Sequence, residues 1–363
     1  MEFIDLKSQQ ALIREKIDRR VSNVLDHGRY VMGPEVAELE ERLASYVGTK
    51  HCIGASSGTD TLLIAMMALG VGPGDEVITV PYTWISTAEM IALLGAKPVF
   101  VDVDERTLNM DASLLEAAIS EKTKAIMPVG IYGQTADMTA INEIAARHGN
   151  LPVIEDAAQS FGATHHGKKS CGLSTIGSTS FFPSKPLGCY GDGGALFTDN
   201  DELAAAMRQI RVHGQAKKHH HPVLGINGRL DTIQAAILLE KIEIFDDEIK
   251  KRQDVAEAYG TKINNRGVTL PEVGEGNTSV FAQYTILSPS RDLLSQLLKE
   301  AQVPSVSYYA KPLHLQPVFQ YLGYSQGDFP VTEGIANQCL SLPMNPYLTA
   351  QEVDQVCSAI NKP

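Results

Sequence analysis

Apolar residues recur at helical spacing in the first part of the chain. Between residues 8 and 26 they follow a helical period, and Gly28 comes next as a helix terminator. Pro34 opens a second segment of this kind, with apolar residues spaced along one face as far as residue 46. The pattern therefore predicts helices at 8–26 and 34–46.

Short β-rich runs then alternate with helical segments. The runs predict strands at 76–80, 98–103, 124–129, 152–156, 179–182 and 195–198. Helices are predicted between several of them, at 59–69, 86–94, 112–119 and 139–148. This alternation predicts an α/β fold with a mostly parallel central sheet that helices cover on both faces. In such a sheet, ligands bind beyond the carboxyl ends of the strands.

The pattern changes in the C-terminal third. A long helical stretch from residue 232 to about residue 262 leaves the alternating region. Beyond it we predict a strand at 284–287, a helix at 291–300, a strand at 305–309 and a helix at 349–360. We therefore predict a large α/β domain with N-terminal helices at 1–248 and a smaller α+β domain at 249–363.

Composition and charge exclude several classes of function. The 363 residues suggest about two domains, and 44% hydrophobic with 20% charged residues is ordinary for a soluble globular protein. The net charge is −12, and the single basic cluster at 217–221 is short, so nucleic-acid binding is disfavoured. We interpret that cluster as a solvated loop, with a substrate-phosphate or metal role as the alternative.

Cysteine usage and the apolar runs point to a cytoplasmic protein. The five cysteines are widely spread without a C-x-x-C pair, which argues against a disulfide framework or a structural zinc site. The N-terminus carries acids where a signal peptide has a basic region, and no apolar run is long enough to span a bilayer. We expect no membrane partner.

One lysine stands in a setting suited to covalent chemistry. Lys185 follows a predicted strand and lies between Pro183 and Pro186, which favour a turn over a helix. A glycine-rich loop at 188–194 follows, and its backbone can approach a ligand closely. A lysine in a loop is most often a solvated surface residue. The neighbouring hydroxyls and glycines favour instead an amine that forms a Schiff base.

A carboxylate ends an earlier predicted strand. Asp156 closes the strand predicted at 152–156, and Gln159 follows three residues later. An acid in this position is often only a cap or a turn residue. Together with Lys185 it matches pyridoxal phosphate (PLP), which needs an amine for the Schiff base and a carboxylate to keep its ring nitrogen protonated. Gln159 is then expected to reach the phenolic oxygen of the ring.

Two further segments match the same cofactor. The run SSGTD at 56–60 precedes a predicted helix, where hydroxyl residues usually serve as caps but where backbone N–H groups also attract an anion. Beside Lys185 and Asp156 it predicts a phosphate site. Trp84, the only tryptophan, follows a predicted strand. A lone tryptophan is more often a core residue, and stacking on the cofactor ring is the alternative hypothesis.

Short motifs are spread over nearly the whole chain. They are GPEV at 33–36, SGT at 57–59, GPGDEV at 72–77, EDAAQ at 155–159, the Lys185 segment, GINGR at 225–229, PLH at 312–314 and SLPM at 341–344. No single motif is specific, but their number and order are. With them the chain resembles the DegT/DnrJ/EryC1/StrS family of sugar aminotransferases.

The resemblance implies a fold type I, PLP-dependent enzyme that works as a homodimer with shared active sites. It implies that Lys185 binds PLP covalently and that Asp156 pairs with the ring nitrogen. The other implied cofactor contacts are Gln159, Gly58, Thr59, Ser180, Trp84 and, towards the neighbouring subunit's cofactor, Asn227. Arg229 and His314 are implied as substrate contacts.

The resemblance also implies an activity. L-glutamate would convert the cofactor to pyridoxamine phosphate (PMP) and leave as 2-oxoglutarate, and the amino group would pass to the keto carbon of a UDP-linked sugar. Lysine at 185, where related sugar dehydratases have histidine, favours transamination. The most similar branch acts on UDP-2-acetamido-2-deoxy-3-keto-glucuronate in O-antigen and lipopolysaccharide synthesis. The alternative is a 4-aminotransferase for a UDP-4-keto-6-deoxy-N-acetylhexosamine. A more distant one is a non-catalytic PLP-binding sensor on the same fold.

Overall fold

The computed structural model describes residues 1–362. The helices are α1 (Leu6–His27), α2 (Pro34–Val47), α3 (Gly58–Ala68), α4 (Ser86–Leu93), α5 (Ala112–Ala118), α6 (Met138–Arg147), α7 (Asp201–Ile210), α8 (Thr232–Lys262), α9 (Arg291–Glu300), α10 (Pro330–Gln338) and α11 (Ala350–Ile360). The strands are β1 (His51–Ala55), β2 (Glu76–Thr79), β3 (Lys97–Phe100), β4 (Thr123–Ile126), β5 (Ile154–Asp156), β6 (Thr164–His165), β7 (Lys168–Lys169), β8 (Ile176–Ser180), β9 (Gly194–Thr198), β10 (Tyr284–Leu287) and β11 (Cys339–Leu342).

Seven strands form one central sheet in the order β3-β2-β4-β5-β8-β9-β1. The strands β3, β2 and β4 are parallel, and β5 is parallel to β8. Two parallel bridges, from Ile126 to Val153 and from Val129 to Asp156, join β4 to β5. Only β9 runs against the others, since it is antiparallel to both β8 and β1. The predicted α/β fold with a mostly parallel sheet is therefore confirmed.

Helices cover both faces of this sheet. Because side chains alternate along a strand, Leu196 and Phe197 of β9 enter different cores. Leu196 belongs to a cluster with α3, α4 and α7, whereas Phe197 belongs to a cluster with α2 and the first part of α8. Both are fully buried. The sheet is thus shielded on two sides, and one of its edges is left for a ligand.

The long helix α8 links two separate cores. Phe245 belongs to the cluster beneath the large sheet, while Val255 and Tyr259 belong to a second cluster with β10, β11, α9 and α11. The sequence placed the domain boundary at 248/249, between these two sets of residues. The boundary itself remains a prediction.

Most elements match the sequence predictions to within a few residues. The helix at 232–262, the strand at 284–287 and the helix at 291–300 are confirmed at both ends. The strand predicted at 305–309 is wrong: only Val306 forms a bridge, to Ser341, and the backbone of Tyr309 has φ of 58°, which breaks an extended chain. The helices α7 and α10 and the strands β1, β6, β7 and β11 were not predicted. Across residues 1–362, no helix is both long and apolar enough to cross a membrane.

Candidate active site

A cavity of about 390 Å³ lies at the carboxyl edge of the central sheet. Its walls come from the start of α3, the segments after β2, β5 and β8, and residues near β10. It brings together seven residues singled out from the sequence: Gly58, Thr59, Trp84, Asp156, Gln159, Ser180 and Lys185. These residues are far apart in the chain, and the folding of the sheet brings them together around one cavity.

Lys185 reaches the cavity from a tight turn after β8. Its backbone N–H donates to the carbonyl of Phe182 at 2.8 Å, which closes the turn that Pro183 begins. Burial lowers the pKa of Lys185 below its usual value, and the Asp156 carboxylate offsets part of this shift. A lowered pKa increases the neutral fraction of the amine, which is the form that attacks a carbonyl.

Asp156 ends β5 and is buried. One carboxylate oxygen accepts a hydrogen bond from the hydroxyl of Thr87 at 2.9 Å, and the other accepts from the N–H of Ala158 at 3.2 Å. Burial raises the pKa of Asp156, while these two bonds and the charge of Lys185 lower it by smaller amounts. A protonated ring nitrogen beside it would favour the ionised carboxylate. The site therefore suits a cationic heterocycle.

Gln159 is held from two sides. Its oxygen accepts the backbone N–H of Tyr132 at 2.8 Å, and its amide nitrogen donates to the hydroxyl of Tyr309 at 2.6 Å. An amide nitrogen carries two hydrogens, so one remains for a ligand in the cavity. This arrangement agrees with a contact to the phenolic oxygen of PLP, which stays a prediction.

The start of α3 forms the anion end of the cavity. Ser57 caps the helix by accepting the N–H of Asp60 at 3.0 Å, while Gly58 and Thr59 stand in its first turn, where N–H groups lack intrahelical partners. A Cβ atom at position 58 would lie 2.5 Å from Cβ of Ser180, so only glycine allows these two segments to meet. Exposed N–H groups beside a serine hydroxyl match a phosphate.

Trp84 lies at the mouth of the cavity. Its side chain is 61% exposed, which excludes the core role that a lone tryptophan usually has. The ring is therefore available to cover a bound cofactor. Stacking on PLP remains a prediction.

Asn227 and Arg229 lie outside this cavity. They line a neighbouring surface pocket of about 580 Å³, which shares only Ser57 and Asp192 with the cavity. The Nε atom of Arg229 is buried and has no hydrogen-bond partner within residues 1–362. The contact of Asn227 with a neighbouring subunit's cofactor and the contact of Arg229 with the substrate both stay predictions.

His314 does not line the cavity. It is fully buried in a short 3-10 helix, its Nε2 lies 3.0 Å from the carboxylate of Glu333, and its ring packs against Phe329. The structure therefore does not bring it to the other predicted residues, and its role as a substrate contact stays a prediction. The basic cluster at 217–221 is exposed, as predicted for a solvated loop.

Tyr308, Tyr309 and Gln283 line the cavity but were not predicted as site residues. Tyr308 and Tyr309 lie in the segment predicted as a strand at 305–309, and Gln283 directly precedes β10. The side-chain oxygen of Gln283 is buried and has no hydrogen-bond partner in the part of the chain that the structure describes. In the sequence these residues appear only as two adjacent tyrosines and a glutamine in an apolar run. Such a pattern is a weak indication of a binding site.

The donor set of the cavity matches PLP as a whole. It offers an amine with a lowered pKa, a buried carboxylate, an amide with a free hydrogen and a helix start for a phosphate. A group that is cationic at one end and doubly anionic at the other would meet a complementary partner at each end.

Comparisons with known proteins agree with the motifs. The DegT/DnrJ/EryC1/StrS aminotransferase family matches residues 11–361. The chain is 56% identical over 360 residues to a UDP-2-acetamido-2-deoxy-3-oxo-D-glucuronate aminotransferase of Pseudomonas aeruginosa, with 99% of each covered. It is 48% identical over 362 residues to a pleiotropic regulatory protein of Geobacillus stearothermophilus, with 99% of this chain and 97% of the relative covered.

A solved structure shares the fold. The crystal structure of NtdA from Bacillus subtilis with bound cofactor PMP superposes with a TM-score of 0.89 at 33% identity. The superposition covers 99% of this chain and 82% of that one.

Proposed function

The chain belongs to the DegT/DnrJ/EryC1/StrS aminotransferase family, and we propose that it transfers the amino group of L-glutamate to the 3-keto carbon of UDP-2-acetamido-2-deoxy-3-keto-glucuronate. The cavity that joins Lys185, Asp156 and the start of α3 carries the proposal of a PLP-dependent transamination. The identity of 56% over the full length with an enzyme named for this sugar supports the substrate.

Bound PLP supplies an electron sink that stabilises negative charge on the substrate carbon. Asp156 maintains this property by holding the ring nitrogen in its protonated form. The carboxylate can do so because Thr87 and Ala158 already stabilise its ionised state in a buried position.

Lys185 moves the proton in both half-reactions. In the first half-reaction a proton has to leave the α-carbon of glutamate, and in the second a proton has to be delivered to the sugar carbon that receives the amino group. Lys185 lines the cavity and its amine has a lowered pKa, so it would hold the proton less tightly than an exposed lysine and could accept and return it. Gln159 would orient the ring of PLP, and the start of α3 would hold its phosphate.

A second copy of the chain completes the site in this proposal. Asn227 and Arg229 line a pocket at the border of their own cavity. The apolar side chain of Val31, which lines that pocket, is 50% exposed. Burying such residues favours association. The planar guanidinium of Arg229 suits the carboxylate of a uronate sugar.

Two other functions receive less support. A 4-keto-6-deoxy sugar has no carboxylate for Arg229 to bind. A PLP-binding sensor agrees with the name of the Geobacillus stearothermophilus relative. However, a sensor needs no amine with a lowered pKa next to a buried carboxylate, and this chain has both.

Absorption spectroscopy tests the proposal directly. The purified protein reconstituted with PLP should show a visible band, L-glutamate should remove it, and the 3-keto sugar should restore it. Loss without return would keep the transaminase and discard this sugar. A protein that binds no PLP, or whose band does not respond to any amino acid, would overturn the proposal.

A further inference from the structure

A second lysine is buried behind the Lys185 loop. The side chain of Lys241, on α8, is 1% exposed, and its Nζ donates a 2.7 Å hydrogen bond to the carbonyl of Gly188. The same Nζ lies 4.2 Å from the centroid of the Tyr190 ring, within cation–π distance. None of the chemistry described above uses this residue.

Lys241 has no carboxylate in contact. Within residues 1–362 it forms no ion pair, and the charge of Glu248 acts on it only from a distance. Burial lowers its pKa to about 8, so the ammonium form prevails at neutral pH. A buried charge without an ionic partner is costly. The contacts of Lys241 described above are instead with Gly188 and Tyr190, which belong to one loop.

The loop that Lys241 contacts also carries Lys185, and backbone contacts within the loop connect the two lysines. A Cβ atom at position 188 would lie 2.6 Å from the carbonyl oxygen of Pro183 and 2.7 Å from that of Phe182. The backbone of Gly188 therefore packs directly against the turn. The N–H of Lys185 donates to the same Phe182 carbonyl at 2.8 Å. Three contacts thus connect Lys241 to Lys185.

The helix α8 holds the loop at a second point. The side-chain oxygen of Gln234 accepts the backbone N–H of Tyr190 at 2.9 Å. Between the two points, Cys189 donates its backbone N–H to the carbonyl of Phe181 at 2.8 Å. Residues 188–190 of the loop are therefore held against α8 and against Phe181 at the end of β8, while Lys185 still lines the cavity.

We propose that Lys241 is a positioning residue for Lys185: its buried ammonium group holds the Gly188 carbonyl and so fixes the turn that presents the reactive amine. No proton or group is transferred through Lys241. The inference rests on the proposed function, because it assigns Lys185 as the amine that takes PLP. A misplacement of about 1 Å in such a group costs roughly 100-fold in rate.

The test compares the loading of Lys185 in variants. Lys241→Met keeps the length of the side chain and removes the charge and the donor. We expect PLP to bind about tenfold more weakly, since a charge-assisted hydrogen bond is lost. Borohydride reduction at limiting PLP, followed by peptide mass spectrometry, should find a smaller fraction of Lys185 labelled. At saturating PLP, kcat should fall while KM for glutamate changes little.

Tyr259→Phe is the matched control. Tyr259 is also buried on α8, and its hydroxyl donates to a backbone carbonyl, that of Pro343 at 2.8 Å, but it does not contact the Lys185 loop. This variant should lower Tm without changing PLP affinity or labelling. If Lys241→Met does not fold, Lys241→Gln, which retains a polar side chain, is compared in the same way.

A folded Lys241 variant that loads PLP like Tyr259→Phe would overturn the inference. If the unmodified protein itself failed to carry PLP on Lys185, the proposed function would fail instead. The labelling of the unmodified protein therefore separates the two.

Discussion

Gln159 donates a 2.6 Å hydrogen bond to the hydroxyl of Tyr309 across the cavity wall. The two residues are 150 positions apart in the chain. The bond joins the segment after β5 to the segment after α9 and fixes which way the amide faces. A ligand contact by Gln159 therefore depends on a tyrosine that belongs to a distant part of the fold.

Removing that hydroxyl should weaken cofactor binding. In Tyr309→Phe the ring remains but Gln159 loses one anchor, so we expect PLP affinity to fall about three- to tenfold. The absorption band should also shift, because the amide next to the ring is less ordered. Spectroscopic titration with PLP measures both. Tyr308→Phe, from the same wall but without a bond to Gln159, serves as the control, and equal effects in both variants would contradict the prediction.

The only tryptophan should report cofactor binding. Trp84 lies at the cavity mouth and is 61% exposed, so a ring bound beneath it should quench its emission. We expect tryptophan fluorescence to fall as PLP is added, with the same midpoint as the absorption titration. Trp84→Phe removes the signal and should weaken PLP binding only modestly. Emission that stays constant while PLP binds would place the indole away from the ring.

Glu155 should make stability depend on pH. Its carboxylate accepts from the Ser170 hydroxyl at 2.6 Å and from the Cys171 N–H at 2.8 Å. Burial nevertheless raises the pKa of Glu155 to about 7, from 4.5 for the exposed group. Between these two values the folded chain keeps a proton that the unfolded chain releases. The free energy of unfolding should therefore fall as pH rises through this window, by at most about 3 kcal/mol.

Glu155→Gln tests the assignment. The amide imitates the protonated carboxyl group, because it can donate to Ser170 and accept from Cys171. Chemical denaturation at pH 5 and pH 7.5 should show a smaller loss of stability in the variant than in the unmodified protein. Parallel losses in the two proteins would assign the pH dependence to another group.

Gln283 should contact a substrate. Its side-chain oxygen is buried and unpaired among residues 1–362, which costs stability unless a ligand pairs with it. Gln283→Leu should therefore keep or raise the free energy of unfolding, while KM for one of the two substrates rises about tenfold. Denaturation and separate kinetics of each half-reaction measure the two effects. A less stable variant with unchanged KM values would indicate a structural role.

Arg229 should select for a carboxylate on the sugar. Replacing it by leucine should reduce kcat/KM for the 3-keto uronate by about 100-fold, and far less for a 6-deoxy sugar. Arg106→Leu is the control, since Arg106 is exposed and forms a surface ion pair with Glu272. Equal losses with both sugars would show that Arg229 does not read the carboxylate.

The reactive pair was predictable because its signals are local. Asp156 and Lys185 each follow a short apolar run, and the rule that strand ends meet at one edge brings them together. The opposite direction of β9 does not appear in its apolar pattern, since a buried strand reads alike in both directions. Tyr309 was missed because aromatic residues favour a strand there, while its left-handed backbone conformation depends on tertiary contacts.

The roles of residues whose contacts are far away in the sequence were harder to predict. The motif around His314 was recognised, but the sequence did not indicate that the ring pairs with Glu333 inside a core. The support of the Lys185 loop by Lys241 was likewise hidden, because a lysine in a long helix normally faces solvent. In both cases burial, which the sequence pattern does not reveal for a charged residue, decides the role.

The joining of the two halves of the sheet has a consequence for how the chain folds. The bridges that connect β4 to β5 include Asp156 itself, and the phosphate end needs Gly58 to meet Ser180. Such non-local contacts exist only once distant segments of the chain have come together. PLP can therefore bind only the finished fold, and a concentration 100 times its Kd would stabilise that fold by about 2.7 kcal/mol. When PLP is scarce, we therefore expect this protein to be less resistant to proteolysis, as well as less active.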